Sequence, residues 1–309
     1  MPILFEIEHV TTYRYRNPVT FGTHRAMFLP HPAASGRLLN WSVKTSLPST
    51  IRWISDTLSN NVTVMEFKDP GKELTFTFQF RGVHFGAKTI EEYPLEPRAE
   101  EVPVQYTPDE WTDLDVHMRP HAEDLDGSVA AWAKSFTADN RRRTTDVLRR
   151  MLDVFRASFS YNSREAEGTQ SPGETLRSKS GTCRDYAWLM VETLRRLGFA
   201  SRFVSGYLYD STLDRGEVGM LGVGATHAWL QVFLPGAGWS HYDPTNHINA
   251  GFDLIPVAIA RHPGQAVPLA GSWFGSAQDY LGMSVNVAVR KLHNISNLSG
   301  GYENSEQGS

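Results

Sequence analysis

The sequence contains a single cysteine among its 309 residues, and this scarcity excludes two common kinds of site. One thiol cannot form an internal disulfide, and it cannot build a zinc centre of the usual multi-cysteine kind. The sequence also has no His-Glu-x-x-His pattern and no calcium-binding loop pattern, so we expect no metal and no other cofactor. Any chemistry at Cys183 is therefore that of a thiol.

A strong charge of one sign is also missing. Lysine and arginine number 30 against 34 aspartates and glutamates, which gives a formal net charge of -4. No basic run is interleaved with aromatic residues, so we expect no nucleic acid partner. The N-terminus lacks a basic segment followed by a long apolar one, and no apolar run approaches membrane-spanning length. We therefore expect a cytoplasmic protein without a membrane partner, while its oligomeric state is not indicated.

Apolar residues are plentiful, and the first part of the chain arranges them in a strand pattern. They make up 40% of the chain, enough for two cores, because single cores stop growing near this size. Apolar and polar residues alternate in several runs before residue 93 without a helical pattern between them. Turn signals such as Asn17-Pro18 separate these runs. The pattern predicts an antiparallel β-sandwich over residues 1–93.

The remainder of the chain divides into three segments. Five prolines among acidic residues predict an irregular connector over 94–122. Residues 123–297 carry amphipathic helix patterns followed by strand patterns, which predicts an α+β domain. Residues 298–309 are polar and glycine-rich, and they predict a flexible tail. The second domain is predicted to contain helices near 125–136 and 140–158, a helix from Cys183 that ends before Gly198, and strands over 201–209, 225–234 and 239–243.

Cys183 stands at the predicted start of an amphipathic helix, where a thiol is easily made nucleophilic. The unpaired backbone N–H groups and the positive end of the helix dipole favour a negative sulfur. Thr182 is the predicted N-cap, and Asp185 can reach back to it from the third helical position. We assign Asp185 this capping role, with work as a general base as the less favoured alternative.

His227 and Asp243 are the predicted partners of the thiol. His227 can take the thiol proton and return it to a leaving amine, while Asp243 fixes the other imidazole nitrogen. A two-residue turn at Gly236-Ala237 would place the two side chains on opposite faces of adjacent strands. We therefore predict an odd-length loop or a bulge around Pro235 to Gly238.

An acyl-transfer site also needs donors for the oxygen that becomes negatively charged. The backbone N–H of Cys183 is the natural first donor. Tyr161 or Gln170 could supply the second, and we rank Tyr161 first because it follows the end of an apolar helix.

Each of these residues has a common structural explanation when it is considered alone. A lone cysteine is more often a small buried hydrophobe than a nucleophile, and Asp243 before Pro244 could simply close a turn. We expect His241 to face solvent and Trp229 to be a core aromatic residue, with a place in the cleft as the alternative. The order of the cysteine, histidine and aspartate blocks is what favours function.

These blocks resemble the core of the bacterial transglutaminase-like proteins in the papain-like superfamily. The residues that carry the resemblance are Gly181-Thr182-Cys183-Arg184-Asp185-Tyr186-Ala187, Ser205-Gly206-Tyr207, Thr226-His227-Ala228-Trp229, Gly238-Trp239 and Tyr242-Asp243-Pro244-Thr245-Asn246. The early segments His9-Val10-Thr11-Thr12-Tyr13-Arg14-Tyr15 and Phe28-Leu29-Pro30 resemble the N-terminal domain of the same family. The resemblance covers nearly the whole chain apart from the tail.

The C-terminal signature departs from the family pattern. Ala260-Arg261-His262-Pro263 stands where the family more often has Gly-Arg-Asp-Tyr, although Val267-Pro268-Leu269-Ala270-Gly271 then resembles the family again. The resemblance implies an α+β fold in which an antiparallel sandwich precedes a helix that bears the cysteine and packs on an antiparallel sheet. It also implies Cys183 as nucleophile, His227 as base and Asp243 as the orienting residue.

The resulting hypothesis is a cysteine-dependent enzyme that acts on a peptide or protein substrate. Attack on a peptide or glutamine-type amide would give a thioester, which water resolves in a peptidase or amidase and an amine resolves in a transglutaminase. We favour hydrolysis, because no second specificity feature for an amine is visible. The alternative is a non-catalytic peptide-binding protein in which the three residues are a relic.

Overall fold

The computed structural model describes residues 2–86, 94–138, 142–162, 168–210, 219–221, 226–249 and 251–292. It is an α+β protein with mostly antiparallel sheets, as the sequence predicts. The helices are α1 (Pro108–Met118), α2 (Ser128–Ser135), α3 (Thr144–Ser158), α4 (Pro172–Ser178) and α5 (Cys183–Arg196). In the described part of the chain, no helix is both long and apolar enough to cross a membrane. The predicted tail over 298–309 lies outside the described residues.

Two antiparallel sheets form the sandwich that the N-terminal pattern predicts. Their strands are β1 (Ile3–Phe21), β2 (His24–Ala26), β3 (Gly36–Thr45), β4 (Ser49–Ser55), β5 (Asn61–Phe67) and β6 (Gly71–His84), joined by β13 (Leu269–Ala270), β14 (Trp273–Phe274) and β15 (Tyr280–Leu292). One sheet has the order β14-β1-β6-β3 with β15 also paired to β1, and the other has the order β13-β2-β5-β4. Side chains such as Phe28, Met65 and Phe76 fill the space between the sheets.

The last three strands of the described chain pair with strands of the sandwich. This corrects the predicted second domain, which extends to residue 297. β15 pairs antiparallel with β1 from Leu4↔Leu292 to Tyr15↔Tyr280, and the short strands β13 and β14 pair with β2 and β1. Sequence periodicity indicates that a segment is a strand but does not identify its pairing partner. Residues 269–292 therefore belong structurally to the sandwich.

Two local predictions in the first half are also wrong. Asn17-Pro18 does not form a turn but lies inside β1, where the pairing with β6 shifts register between Arg14 and Val19. A proline fits a strand where the ladder is interrupted, because its missing N–H is not needed there. The connector contains the regular helix α1, which begins at Pro108 behind the Thr107 cap and its partner Glu110. The prolines do not exclude a helix here, because proline is favoured in the first helical turn.

The second layer holds α5 against a four-stranded antiparallel sheet. This sheet contains β9 (Ser201–Leu208), β10 (His227–Leu234), β11 (Gly238–Tyr242) and β12 (Leu254–Ala260) in the order β11-β10-β9-β12, while β7 (Ser160–Tyr161) and β8 (Ser180–Gly181) form a small parallel pair. Leu189, Val191 and Leu194 of α5 share one core with Leu230 and Val232 of β10. The helix that begins at Cys183 is thus fixed on the sheet that carries His227.

The sandwich is joined to this sheet by buried polar contacts. The Asn60 side chain accepts a hydrogen bond from the Ile259 N–H at 2.7 Å and donates one to the Ile259 carbonyl at 2.8 Å. His9 Nδ1 lies 3.1 Å from the Tyr207 hydroxyl on β9. These contacts pair polar groups that would be costly to bury alone, so they fix the sandwich against the sheet.

Candidate active site

Cys183 is the first residue of α5 and has 7% of its surface exposed. Its neighbour Thr182 has the extended backbone of an N-cap, and α5 continues to Arg196. The sulfur therefore stands at the helix end where the N–H groups lack helical partners and the dipole is positive.

The carboxylate of Asp185 fixes the turn before the nucleophile. Its Oδ2 accepts hydrogen bonds from the Thr182 N–H at 2.8 Å and from the Thr182 hydroxyl at 3.0 Å, and its Oδ1 accepts one from the Gln170 N–H at 2.7 Å. A Cβ at Gly181 would lie 2.8 Å from the Asp185 Cβ, so only glycine allows this approach. Asp185 occupies the capping position that the sequence predicts.

A three-residue loop brings His227 and Asp243 to the same face of the sheet. Leu234 pairs with Gly238, so Pro235, Gly236 and Ala237 form the loop, and the ladder continues to Leu230↔Tyr242. One position further along the ladder, Asp243 faces Trp229, whose side chain lies on the same face as that of His227. The predicted odd-length loop is confirmed.

His227 is the first residue of β10 and lies between the other two predicted residues. Its Nε2 is 2.8 Å from Asp243 Oδ2, and its side chain is buried. Its Nδ1 is also buried and has no hydrogen-bond partner within the part of the chain that the structure describes. The Cys183 side chain is near enough to the ring to act on its charge. Burial lowers the pKa of His227, but the nearby Asp243 and Cys183 outweigh it and raise the pKa to about 10.

Asp243 is held as a carboxylate by a tight loop. Its Oδ1 accepts from the Thr245 N–H at 2.8 Å, and its Oδ2 accepts from the Asn246 side chain at 3.0 Å. Backbone hydrogen bonds between Asp243 and Ile248 close the loop. Burial raises the pKa of Asp243, yet His227 and these hydrogen bonds leave it lower than usual. Asn246 is not among the predicted site residues, although Asp-Pro-Thr-Asn is a turn signal that could have indicated it.

Tyr161 lies beside the nucleophile. It pairs with Gly181 in the two-stranded sheet β7-β8 and packs against the small cluster that contains Cys183 and Ala187. Burial raises the pKa of its hydroxyl to about 12, and the charges of Cys183 and Asp243 add to this shift. The hydroxyl therefore keeps its proton at neutral pH and remains a hydrogen-bond donor.

An open cleft of about 450 Å³ runs along the first turns of α5. Arg184 and Trp188 of the helix line it, together with Gln170, the paired rings of His121 and His262, and neighbouring loop residues. The Arg184 guanidinium donates to the carbonyl oxygens of Pro263 at 2.8 Å and Ala266 at 3.3 Å. The segment in which the C-terminal signature departs from the family pattern therefore anchors the helix start and forms one wall of this cleft.

His241 does not face solvent, contrary to the prediction. It pairs with Gln231 across the β10-β11 ladder, and its Nδ1 accepts a hydrogen bond from the indole N–H of Trp229 at 2.8 Å. Alternation along β11 assigns it to the same face as Asp243, and the packed molecule covers that face. Periodicity alone did not show that the face is covered.

The fold is papain-like, and it carries a thiol at the start of a helix, a histidine on a strand and an aspartate beside that histidine. Residues 130–244 match the family model of the transglutaminase-like superfamily, and residues 5–81 match that of the bacterial transglutaminase-like N-terminal region. The chain thus carries a transglutaminase-like core region and a bacterial transglutaminase-like N-terminal region.

Two similar proteins match nearly the whole of this chain, and a third matches a short part of it. An uncharacterized protein of Mycobacterium leprae, ML0607, is 27% identical over 91% of this chain and 97% of its own length. The solved structure of a candidate cysteine protease from Cytophaga hutchinsonii covers 95% of this chain and 92% of its own, with a TM-score of 0.71 and 17% identity. A protein-glutamine gamma-glutamyltransferase of Pseudomonas aeruginosa is 32% identical over 71 residues, which are 23% of this chain and 11% of that protein.

Proposed function

We propose that this protein is a cysteine-dependent acyl-transfer enzyme that acts on peptide or glutamine-type amides. Cys183 is the nucleophile, His227 the general base and acid, and Asp243 the residue that orients the imidazole. The observation that carries the proposal is the buried His227 ring, which lies 2.8 Å from Asp243 and whose pKa is raised by Asp243 and by Cys183, the single cysteine of the sequence.

The acylation step follows from this arrangement. His227 holds the proton of the Cys183 thiol as an imidazolium, and the thiolate attacks the amide carbon to form a carbon–sulfur bond. The negative oxygen that develops is met by the Cys183 backbone N–H, with the protonated Tyr161 hydroxyl as the second donor. The imidazolium then gives its proton to the leaving nitrogen as the carbon–nitrogen bond breaks. Ammonia or an amine leaves, and the acyl group remains on sulfur as a thioester.

The second step returns the enzyme to its starting state. His227 takes a proton from water or from an incoming amine, which attacks the thioester carbon. The carbon–sulfur bond breaks, and the thiolate regains a proton. Water gives a carboxylic acid, and an amine gives a new amide. We favour water as the acceptor, and the name of the Pseudomonas relative makes a glutamine side chain a donor worth testing beside peptide bonds.

Thiol labelling tests the nucleophile without knowledge of the substrate. Because Cys183 is the only cysteine, iodoacetamide uptake at neutral pH reports this site alone. We expect alkylation at least about tenfold faster than that of free cysteine, because an adjacent imidazolium and a helix start favour the thiolate. His227→Ala should lose this advantage, whereas His247→Ala, on an exposed histidine paired with Asp153, should keep it. A wild-type thiol no faster than free cysteine would favour the relic-site, peptide-binding alternative.

Product analysis then identifies the acceptor. The wild-type protein and Cys183→Ala are incubated with a peptide library, with and without an added primary amine. New carboxylic acid termini or deamidated glutamines that depend on Cys183 support hydrolysis, and amine incorporation supports transamidation. Peptide binding by both proteins without any product would contradict the proposed enzyme.

A further inference from the structure

The sheet face that carries His227 and Asp243 also carries a buried polar group that the proposed reaction does not use. His227, Trp229 and Gln231 are two residues apart along β10, so their side chains share one face of the sheet. His241 of β11 pairs with Gln231. Trp229 and His241 are both buried. A buried indole N–H and a buried imidazole need partners, and here they pair with each other.

Trp229 lies directly behind the His227 ring. The two ring centroids are 6.0 Å apart, and the ring planes differ by 24°. Gly206, the ladder partner of His227, makes room for the indole, since a Cβ there would lie 2.7 Å from Trp229 Cη2. Val204, Leu208 and Ile259 belong to the same core cluster as the indole. Trp229 therefore forms a rigid wall beside the imidazole.

His241 fixes the orientation of this wall. The Trp229 indole N–H donates to His241 Nδ1 at 2.8 Å, and Gln231 Nε2 lies 2.8 Å from His241 Nε2. Because the indole only donates, the proton of a neutral His241 lies on Nε2, and the Gln231 amide must turn its oxygen toward Nε2 to accept it. Burial, together with the nearby Arg202 and His84, lowers the pKa of His241 to about 3. A neutral imidazole offers a lone pair to the indole, whereas a protonated one does not.

We propose that His241 is a positioning residue that holds the Trp229 indole against His227 and so keeps the imidazole aligned between Cys183 and Asp243. The indole also keeps water from the hydrogen bond between His227 and Asp243, which is stronger in dry surroundings. The inference rests on the proposed function for its effect on reactivity. The hydrogen bond between Trp229 and His241 is testable without it.

The test compares two variants of His241 with a matched control. His241→Leu removes the acceptor at similar volume, and His241→Asn keeps an oxygen near the position of Nδ1. Tyr106→Phe is the control, because the Tyr106 hydroxyl bonds to Phe233 and Ala200 elsewhere on the same sheet. It loses buried hydrogen bonds but does not touch Trp229.

Two readouts separate positioning from stability. Alkylation of Cys183 against pH reports the thiol–imidazole pair, and the indole N–H resonance reports the bond to His241. Trp229→Phe identifies that resonance among the eight tryptophans. We expect His241→Leu to slow alkylation at neutral pH roughly tenfold, because small displacements of a reacting group are costly. We expect His241→Asn to restore most of the rate, and Tyr106→Phe to keep it despite a lower Tm.

Several results would overturn the inference. A wild-type alkylation rate in His241→Leu would show that the wall does not act on His227. An indole resonance that is unmoved in this variant, or a nitrogen spectrum of wild-type His241 with the proton on Nδ1, would show that the proposed bond is absent. If His241→Leu does not fold, His241→Asn and the wild-type nitrogen spectrum decide.

A slow wild-type thiol would instead overturn the proposed function. The inference would then be judged by whether the His227 ring resonances move in His241→Leu but not in Tyr106→Phe.

Discussion

The sandwich and the sheet that carries His227 both bury histidines, and they leave them in opposite states of charge. His9 of the sandwich and His227 of the sheet each have 1% of their surface exposed. His9 lies between the hydroxyls of Tyr207 and Thr11, and burial lowers its pKa to about 3. His227 lies against a carboxylate, and its pKa is about 10.

The comparison shows that burial alone does not produce a reactive imidazole. Desolvation disfavours the charged ring in both regions, and only a buried opposite charge reverses the effect. His24 and His31 of the sandwich behave like His9, because burial lowers the pKa of each. A histidine in a strand is thus a structural residue here unless the fold supplies an acid next to it.

The largest expected effect comes from removing that acid. In Asp243→Asn the pKa of His227 should fall, because burial remains and the larger of the two charges that oppose it is gone. We expect the amide-cleaving activity to drop about 100-fold or more, as when the orienting acid of a triad is neutralised. Titration of the His227 ring by NMR checks the pKa, and the product assay checks the rate.

Asp153→Asn is the matched control for this change. Asp153 also lies 2.8 Å from a histidine, His247, but that pair is exposed. Exposed ion pairs contribute little, so the variant should behave like the wild type. An unchanged rate in Asp243→Asn would show that the carboxylate beside His227 does not distinguish it from the buried histidines of the sandwich.

A smaller effect is expected from the sandwich histidine. The folded-state pKa of His9 is below the unfolded value of 6.5, so the unfolded chain takes up a proton first as the pH falls. The stabilising contribution of the neutral ring is complete above pH 6.5 and is lost as the pH falls toward 3. His9→Gln should therefore reduce the loss of unfolding free energy between pH 7 and 4.5 by about 2 to 3 kcal/mol.

Urea unfolding at the two pH values measures this difference. Thr11→Val loses a hydrogen bond to His9 but keeps the imidazole, so it should retain the wild-type pH dependence. Thiol alkylation at pH 7 should be unaffected in both variants. An equal pH dependence in His9→Gln and the wild type would mean that the buried ring is not the source of acid sensitivity.

The smallest effect is expected at the contact between the two regions. Asn60→Ala leaves the N–H and the carbonyl of Ile259 without their side-chain partner, which should cost about 1 to 3 kcal/mol of unfolding free energy. The adjacent Asn61→Ala removes one hydrogen bond to Pro30 inside the sandwich and is the control. Thermal unfolding measures both. A slower thiol in folded Asn60→Ala would show that the sandwich also acts on the site.

The sequence by itself determined the features that depend on neighbouring residues. Thr182 and Asp185 start a helix at Cys183 because capping is a local interaction, and strand alternation limits the loop between His227 and Asp243 to an odd length. The alternation that predicts a sandwich over residues 1–93 is a local pattern of the same kind.

Only the tertiary structure decided which surfaces are covered and which distant segments meet. Periodicity assigns His241 to one face of a strand but does not show that this face is buried, and it does not show that β15 pairs with β1. The contact of Asn246 with Asp243 and the wall formed by Trp229 likewise depend on how the chain folds back on itself. The charge on His227 belongs to this second group, because it arises from a carboxylate that only the folded sheet brings within 2.8 Å.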